Sequence, residues 1–186
     1  MSQTDLATRI QRLEDREAIR ELVGRYGYVI DNRDLDGVAG LFCEDALLES
    51  QDGVMQARGR AAIIELYKGR FLALGPTFHY THDRAIALDD NDPDAATGII
   101  ASHAEVMRNG EAMLAAIRYF DDYRREDGRW RFAKRSLAFF YYTPAGQYIE
   151  TMTSTLRQRA YGDQRPADWP ETLATWKRYK ALEAGR

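Results

Sequence analysis

The stretch TFHYTHDRAIALDD, Thr77 to Asp90, carries two of the chain's three histidines, His79 and His82, three residues apart. Imidazole titrates at about 6.5 when unperturbed, so it can both take and give a proton near neutral pH. On a strand, this spacing sends the two rings to opposite faces, so they do not share a substrate unless a bulge intervenes. The same geometry argues against zinc, which needs three or four convergent donors. The plainer reading of each is a hydrogen-bonded or partly exposed structural histidine. His103, mid-strand in TGIIASHAEV, has the same two readings. Asp31 follows YGYVI at the end of an apolar helix. It is either an acid projecting into a cavity beneath a sheet or a turn carboxylate of DNRD. In AAIRYFDDY, Tyr119 shares a strand face with Ile117, Asp121 and Tyr123. Aspartate is depleted inside strands, so Asp121 pairs with Arg118 or Arg135, or lines a polar pocket. The run LAFFYYTP can build a cavity wall or simply core. The single cysteine, Cys43, excludes an intramolecular disulfide and reads as a buried inert thiol with no activating base beside it.

The elements that must position these groups follow from periodicity. Residues Leu6 to Ile30 form a helix whose apolar face is Ile10, Leu13, Ile19, Leu22, Val23, Tyr26 and Ile30. Gly24 and Gly27 weaken it by about 1 kcal/mol each relative to alanine, unless close packing requires them. Asp34 can cap a second helix, Leu35 to Phe42. ALLES and VMQARG flank an Asp-Gly pair and read as a hairpin. GRAAIIELYKGRFLAL is a third helix, stopped near Gly75-Pro76. Four strands follow, Thr77 to Leu88, Thr97 to Met107, Met113 to Glu126 and Trp130 to Tyr142, separated by DDNDPD, RNGE and REDGR. Helices segregated from antiparallel strands indicate an α+β domain, with helices packed on one curved sheet. From Ile149 the chain becomes polar and holds two of its five prolines. The expected division is a domain over residues 1–148 and an extension over 149–186 that packs over the domain as a lid or against a neighbouring subunit.

Composition narrows the function classes. Hydrophobic residues make up 45% of the 186 residues, enough for one core, and the formal net charge is −3. Basic residues are interspersed with acids, so there is no basic stripe for nucleic acid. No run approaches the roughly 20 apolar residues of a membrane span, and the N-terminus has no apolar signal segment. The expectation is a soluble, cytoplasmic protein.

The stretch RIQRLEDREAIRELVGRYGYVIDNRDLDGVAGLFCEDA resembles the opening helices of SnoaL-like proteins of the NTF2-like superfamily. FHYTHDRAIALDD, ATG and RYFDDYRREDGRWRFAKR resemble their later strands. The resemblance spans Thr8 to Pro144 and implies a cone-shaped cavity between a bent sheet and three helices. Within the superfamily the chain is similar to scytalone dehydratase, bile acid 7α-dehydratase and hexachlorocyclohexane dehydrochlorinase. In those enzymes an aspartate ending the first helix pairs with a histidine early in the third strand, and Asp31 and His79 fall on these positions. Tyr26 falls on an active-site tyrosine, Tyr119 on a pocket-lining position and Arg135 on a pocket arginine. His103 is displaced along its strand from the second catalytic histidine of scytalone dehydratase. It is placed with the substrate-binding residues and as the next candidate base. Where the dehydrochlorinase has a lysine, this chain has Tyr26, which points away from halide abstraction. Where the dehydratases have a carbonyl-polarising tyrosine, this chain has Ser50. The resemblance implies a lyase needing no cofactor or metal, acting on a hydrophobic cyclic or aromatic small molecule, in a homo-oligomer, trimer ahead of dimer. The competing readings are an isomerase or polyketide cyclase, and a non-catalytic module that binds a small ligand or a protein. A ring-hydroxylating dioxygenase β subunit is a further member of that structural class.

Overall fold

The computed structural model describes residues 3–185. Helix α1 (Gln3–Asp31) leads into α2 (Leu35–Leu41), then β1 (Phe42–Ser50), β2 (Gln56–Arg58) and α3 (Arg60–Ala73). Four long strands follow: β3 (Leu74–Leu88), β4 (Ala95–Arg108), β5 (Glu111–Glu126) and β6 (Arg129–Pro144). The extension holds α4 (Tyr148–Met152) and α5 (Ala174–Ala184). One six-stranded sheet has the order β2-β1-β6-β5-β4-β3. The β1–β6 pairing is parallel and every other pairing antiparallel. This is the expected α+β architecture, with a mixed sheet and the first three helices against it.

Local chemistry explains the boundaries. The Asp34 carboxylate accepts from the Gly37 amide at 2.8 Å and caps α2. The β4–β5 and β5–β6 hairpins turn on Asn109-Gly110 and Asp127-Gly128, all four residues at positive φ, as tight two-residue turns require. Two register shifts, between Ala116 and Ile117 and between Asp122 and Tyr123 of β5, each place one extra residue on β6. Such bulges bend a strand and increase its twist, which curves the sheet around the cavity. The apolar stripe of α1 is buried from Ile19 onward, but Leu6, Ile10 and Leu13 are exposed. The first turns of α1 are held to the β3–β4 loop instead, through Arg12 to Asp90 at 2.9 Å.

The extension is hydrogen-bonded into the sheet. β1 accompanies β6 only as far as Leu137. Beyond it, Phe139 bonds Asp168 through both its N–H (2.7 Å) and its carbonyl (3.0 Å). Tyr142 donates to Arg157 O at 3.0 Å and accepts from Arg159 N at 2.7 Å. The buried Arg157 forks onto Glu171 at 2.7 and 2.9 Å and reaches Phe140 O at 2.9 Å. Trp169 packs on Phe140 and under the Arg118 guanidinium, 3.7 Å from the ring centroid.

A charged pair lies in the core. Asp121 and Arg135 are direct cross-strand partners with fully buried side chains. Nε and Nη2 of Arg135 donate to the two carboxylate oxygens at 2.9 and 2.7 Å, and Tyr123 donates to Asp121 at 2.8 Å. The guanidinium carbon is 3.9–4.2 Å from the ring centroids of Tyr26, Tyr119 and Phe132. Removing one partner strands a buried charge, which costs about 3–5 kcal/mol, whereas replacing both with apolar residues is often neutral. Asp121→Ala should therefore lower the urea midpoint sharply, and Asp121→Leu combined with Arg135→Met should recover most of the loss.

Candidate active site

The C-terminal end of α1 meets the start of β3. At Gly27 an added Cβ would come within 3.3 Å of the His79 Cβ, so the glycine lets helix and strand approach closely. Gly24 faces open space and has no such role. The approach places Asp31 over β3. One Asp31 oxygen accepts from the Thr77 hydroxyl at 2.7 Å and from His79 Nδ1 at 2.6 Å; the other accepts from the His79 amide at 2.9 Å. Burial alone would raise the Asp31 pKa. The bond from the His79 ring, the charge of that ring, the His79 amide and Thr77 together outweigh burial and hold Asp31 below the ordinary carboxylate value. In the neutral ring a carboxylate on Nδ1 keeps the proton on that nitrogen and leaves the lone pair on Nε2, which has no hydrogen-bond partner among the described residues.

Arg33 supports this arrangement. It adopts φ of 60°, uncommon for a residue with a Cβ. Its guanidinium folds back to donate to Ile30 O at 2.7 Å, to Thr77 Oγ1 at 3.0 Å and to Gly75 O, and lies 4.7 Å above the Phe71 ring. Thr77 thus accepts from Arg33 and donates to Asp31.

His79 opens onto a cavity between α1, α3 and strands β3 to β6. Ile30, Phe71, Val106, Ile117, Leu137 and Phe139 supply apolar walls. Tyr26, Tyr67, Tyr119, Tyr142, Thr77 and Arg70 supply polar atoms. The space is narrow, ≈ 50 Å³. Tyr26 and Tyr67 share a 2.6 Å hydroxyl–hydroxyl bond. Burial, reinforced by Tyr26, pushes Tyr67 and Tyr119 well above the ordinary phenol value, so both are neutral donors and not bases at working pH. A wider groove of ≈ 520 Å³ lies between the β4–β5 turn and the extension, but it is polar and holds no histidine. No residue of the extension lines the His79 cavity.

Four of the expected residues come together here: Asp31, His79, Tyr26 and Tyr119. Two do not. His103 alternates with the inward-facing Ala104 and Ser102, so its ring emerges on the outer face of the sheet. There its Nδ1 meets His82 Nε2 at 2.9 Å. The bulge in β3, between Thr81 and Arg84, takes in His82, whose ring still meets His103 on the outer face, so His79 and His82 lie on opposite faces, as the spacing requires. Arg135 is also displaced from its expected role: a guanidinium in the core must be paired, and Asp121 directly opposite holds it behind Tyr26 and Tyr119, outside the lining of the cavity. Ser50 is spent on the β1–β2 turn, donating to Asp52 at 2.5 Å and accepting from Met55 N at 3.0 Å. Thr77, Arg33, Tyr67 and Arg70 were not singled out from sequence. Thr77 was within reach, since it lies two residues before His79 on the same strand face. Tyr67, four residues after Ile63 on the buried face of α3, looks from sequence like ordinary core.

The SnoaL-like domain model matches residues 11–136. The chain belongs to the SnoaL-like family. Gamma-hexachlorocyclohexane dehydrochlorinase of Sphingobium indicum is 26% identical over 139 residues, covering 73% of this chain and 86% of that protein. A solved NTF2-like protein with a cystatin-like fold from Novosphingobium aromaticivorans is 30% identical, with a TM-score of 0.59, covering 75% of this chain and 90% of the other. A candidate scytalone dehydratase from the same species shares the fold, with a TM-score of 0.65 at 24% identity, covering 72% of this chain and 89% of the other.

The outer-face imidazole pair carries a pH consequence. Burial, and then the neighbouring His82, lower the His103 pKa. The unfolded chain then binds protons more readily than the native one, so this contribution to stability is complete above about pH 6.5 and is lost as pH falls through the native value. Urea unfolding between pH 7.5 and 5 should show this loss, and His103→Gln should flatten it.

Proposed function

We propose that the protein is a cofactor-independent lyase acting on a hydrophobic cyclic or aromatic small molecule with a leaving group at a β position. The observation that carries this reading is the Asp31–His79 pair, bonded at 2.6 Å with both side chains nearly buried (14% and 13% exposed), beside an apolar cavity. A module that only bound ligands would have no need of an oriented acid–base pair there. The dehydrochlorinase name of the Sphingobium relatives supports elimination chemistry. His79 Nε2 takes a proton from carbon or hydroxyl. Asp31 keeps the ring in the required tautomer and stabilises the imidazolium. In dehydration the imidazolium returns its proton to the departing hydroxide, giving water; in a retro-aldol-like step it protonates the enolate carbon from which neutral formaldehyde has left. The Tyr26–Tyr67 pair and Tyr119, held neutral, polarise a carbonyl or hydroxyl as charge develops. With Tyr26 in place of a lysine, the leaving group is water or, in a retro-aldol-like step, formaldehyde from a hydroxymethyl substituent. If the same base forms an enolate with no leaving group in place, the reaction becomes isomerisation or cyclisation, the second reading. A ring needs more room than the closed cavity offers, so binding must displace side chains at its mouth.

The test is kcat/KM for four variants on a substrate found by screening aromatic and alicyclic alcohols with product detection by mass spectrometry. His79→Ala should lose about 10²–10⁴-fold. Asp31→Asn should lose a comparable factor with the fold intact, and the double variant should be little worse than His79→Ala, as for residues that act as a unit. Tyr26→Phe should be milder, at about 0.5–1.5 kcal/mol. Full turnover in His79→Ala would end this assignment.

The proposed assembly is a homo-oligomer, trimer ahead of dimer, through the outer sheet face and the extension. Phe78, Tyr80 and Ile99 are exposed on that face, and Leu6, Ile10 and Leu13 on the start of α1, which supports burial against another copy. Light scattering should give a multiple of 21.3 kDa at micromolar concentration; the monomer mass would overturn it.

A further inference from the structure

Arg70 lies in the last turn of α3 and lines the cavity that His79 opens onto. It is half-buried. The other half-buried or buried arginines are engaged. Arg33 is held by carbonyls and Thr77, Arg60 by Glu44 and Glu126, Arg125 by Asp15 and Asp94, and Arg157 by Glu171. Arg135 has Asp121, and Arg118 stacks on Trp169. Among the described residues, Arg70 is the half-buried arginine whose guanidinium has no hydrogen bond, ion pair or ring contact. Its charge is felt at the Tyr67 and Tyr142 hydroxyls, which line the same wall.

An arginine in the last turn of a helix is favoured by the helix dipole. That benefit is available equally to a side chain turned to solvent, so it does not explain an arginine that lines this cavity with no partner for its guanidinium. A cation on a cavity wall with no counter-charge is a ready seat for an anion. The protein's net charge is −3, so its overall field does not draw anions in; recognition must be local.

We infer that the substrate of this cavity carries a carboxylate, seated on the Arg70 guanidinium with Tyr142 as a further donor. A carboxylate suits the planar fork of a single arginine. A phosphate is bulkier and doubly charged, and Arg70 is the one arginine or lysine among the residues lining the narrow cavity. Since Arg70 and His79 line one small space, the carboxylate and the reacting carbon belong to the same molecule. The inference rests on the proposed use of this cavity as the reaction site, but it is tested by binding and not by turnover.

The probes are phenylacetate and 3-phenylpropanoate, each titrated calorimetrically into the intact protein beside its neutral primary amide. The carboxylates should bind at least about tenfold more tightly than the amides, and less so as salt is added. Arg70→Gln should abolish the preference, and Arg70→Lys should keep part of it. His79→Ala should keep all of it, which separates this inference from the acid–base assignment. Equal affinity of acid and amide in the unaltered protein, or a preference that survives Arg70→Gln, would overturn it. The paired probes decide the matter even if the glutamine variant fails to fold.

Discussion

Asp31 ends a 29-residue helix, where the aligned peptide dipoles place partial negative charge, and its side chain is largely withdrawn from water. Both effects oppose an ionised carboxylate. Three donors from β3 oppose them in turn: the Thr77 hydroxyl, the His79 amide and the His79 ring. Arg33 adds a positive charge one bond further out. Much of the local structure serves this balance. Gly27 admits the strand, the unusual φ of Arg33 returns its side chain to β3, and the inward alternation of Thr77 and His79 brings two donors to one acceptor. A carboxylate so placed gains further when the adjacent ring takes up a proton, because the new charge answers the unfavourable dipole as well as the carboxylate itself.

Behind the cavity, a second ionic device sets the electrostatics of its wall. The Arg135 guanidinium is neutralised by Asp121 and enclosed by the faces of Tyr26, Tyr119 and Phe132. Cation–π contact of this kind fixes ring orientation as well as contributing attraction. It turns two of the cavity tyrosines into parts of one rigid cluster. The same sheet supports opposite duties on its two faces: an acid–base pair inside, and a solvent-facing imidazole pair, His82 and His103, outside.

The extension answers a problem created by unequal strand lengths. β6 outlasts β1 by several residues, and an unpaired edge is both costly when buried and open to unwanted pairing. Residues around Arg157 and Asp168 take those bonds. The polar, proline-containing composition of this segment conceals the function, because the bonds are made by main chain and by side chains far apart in sequence.

Secondary structure was legible because it is encoded locally. Period-three-and-four apolar residues marked α1, Asp34 marked a cap, and Asn109-Gly110 and Asp127-Gly128 marked hairpins, each through short-range sterics or hydrogen bonds. The opposite facing of His79 and His82 followed from strand alternation alone. The pairing of Asp31 with His79 was indicated by resemblance to a family, not by any local rule, since 48 residues separate them. What the sequence could not decide was which long-range partner each polar side chain takes. His103 was expected in the cavity and faces outward, because pairing β3 with β4 set its parity. Arg135 was expected to meet substrate and is held by Asp121, because cross-strand register placed a carboxylate opposite a buried cation. Tyr67 and Arg70 look alike from sequence, as two positions on a helix. Only the packing of α3 over the sheet made one a hydroxyl partner for Tyr26 and left the other an unpaired charge on the cavity wall. Local sterics act over a few residues and can be read along the chain, whereas burial and charge pairing depend on which surfaces the whole fold removes from water.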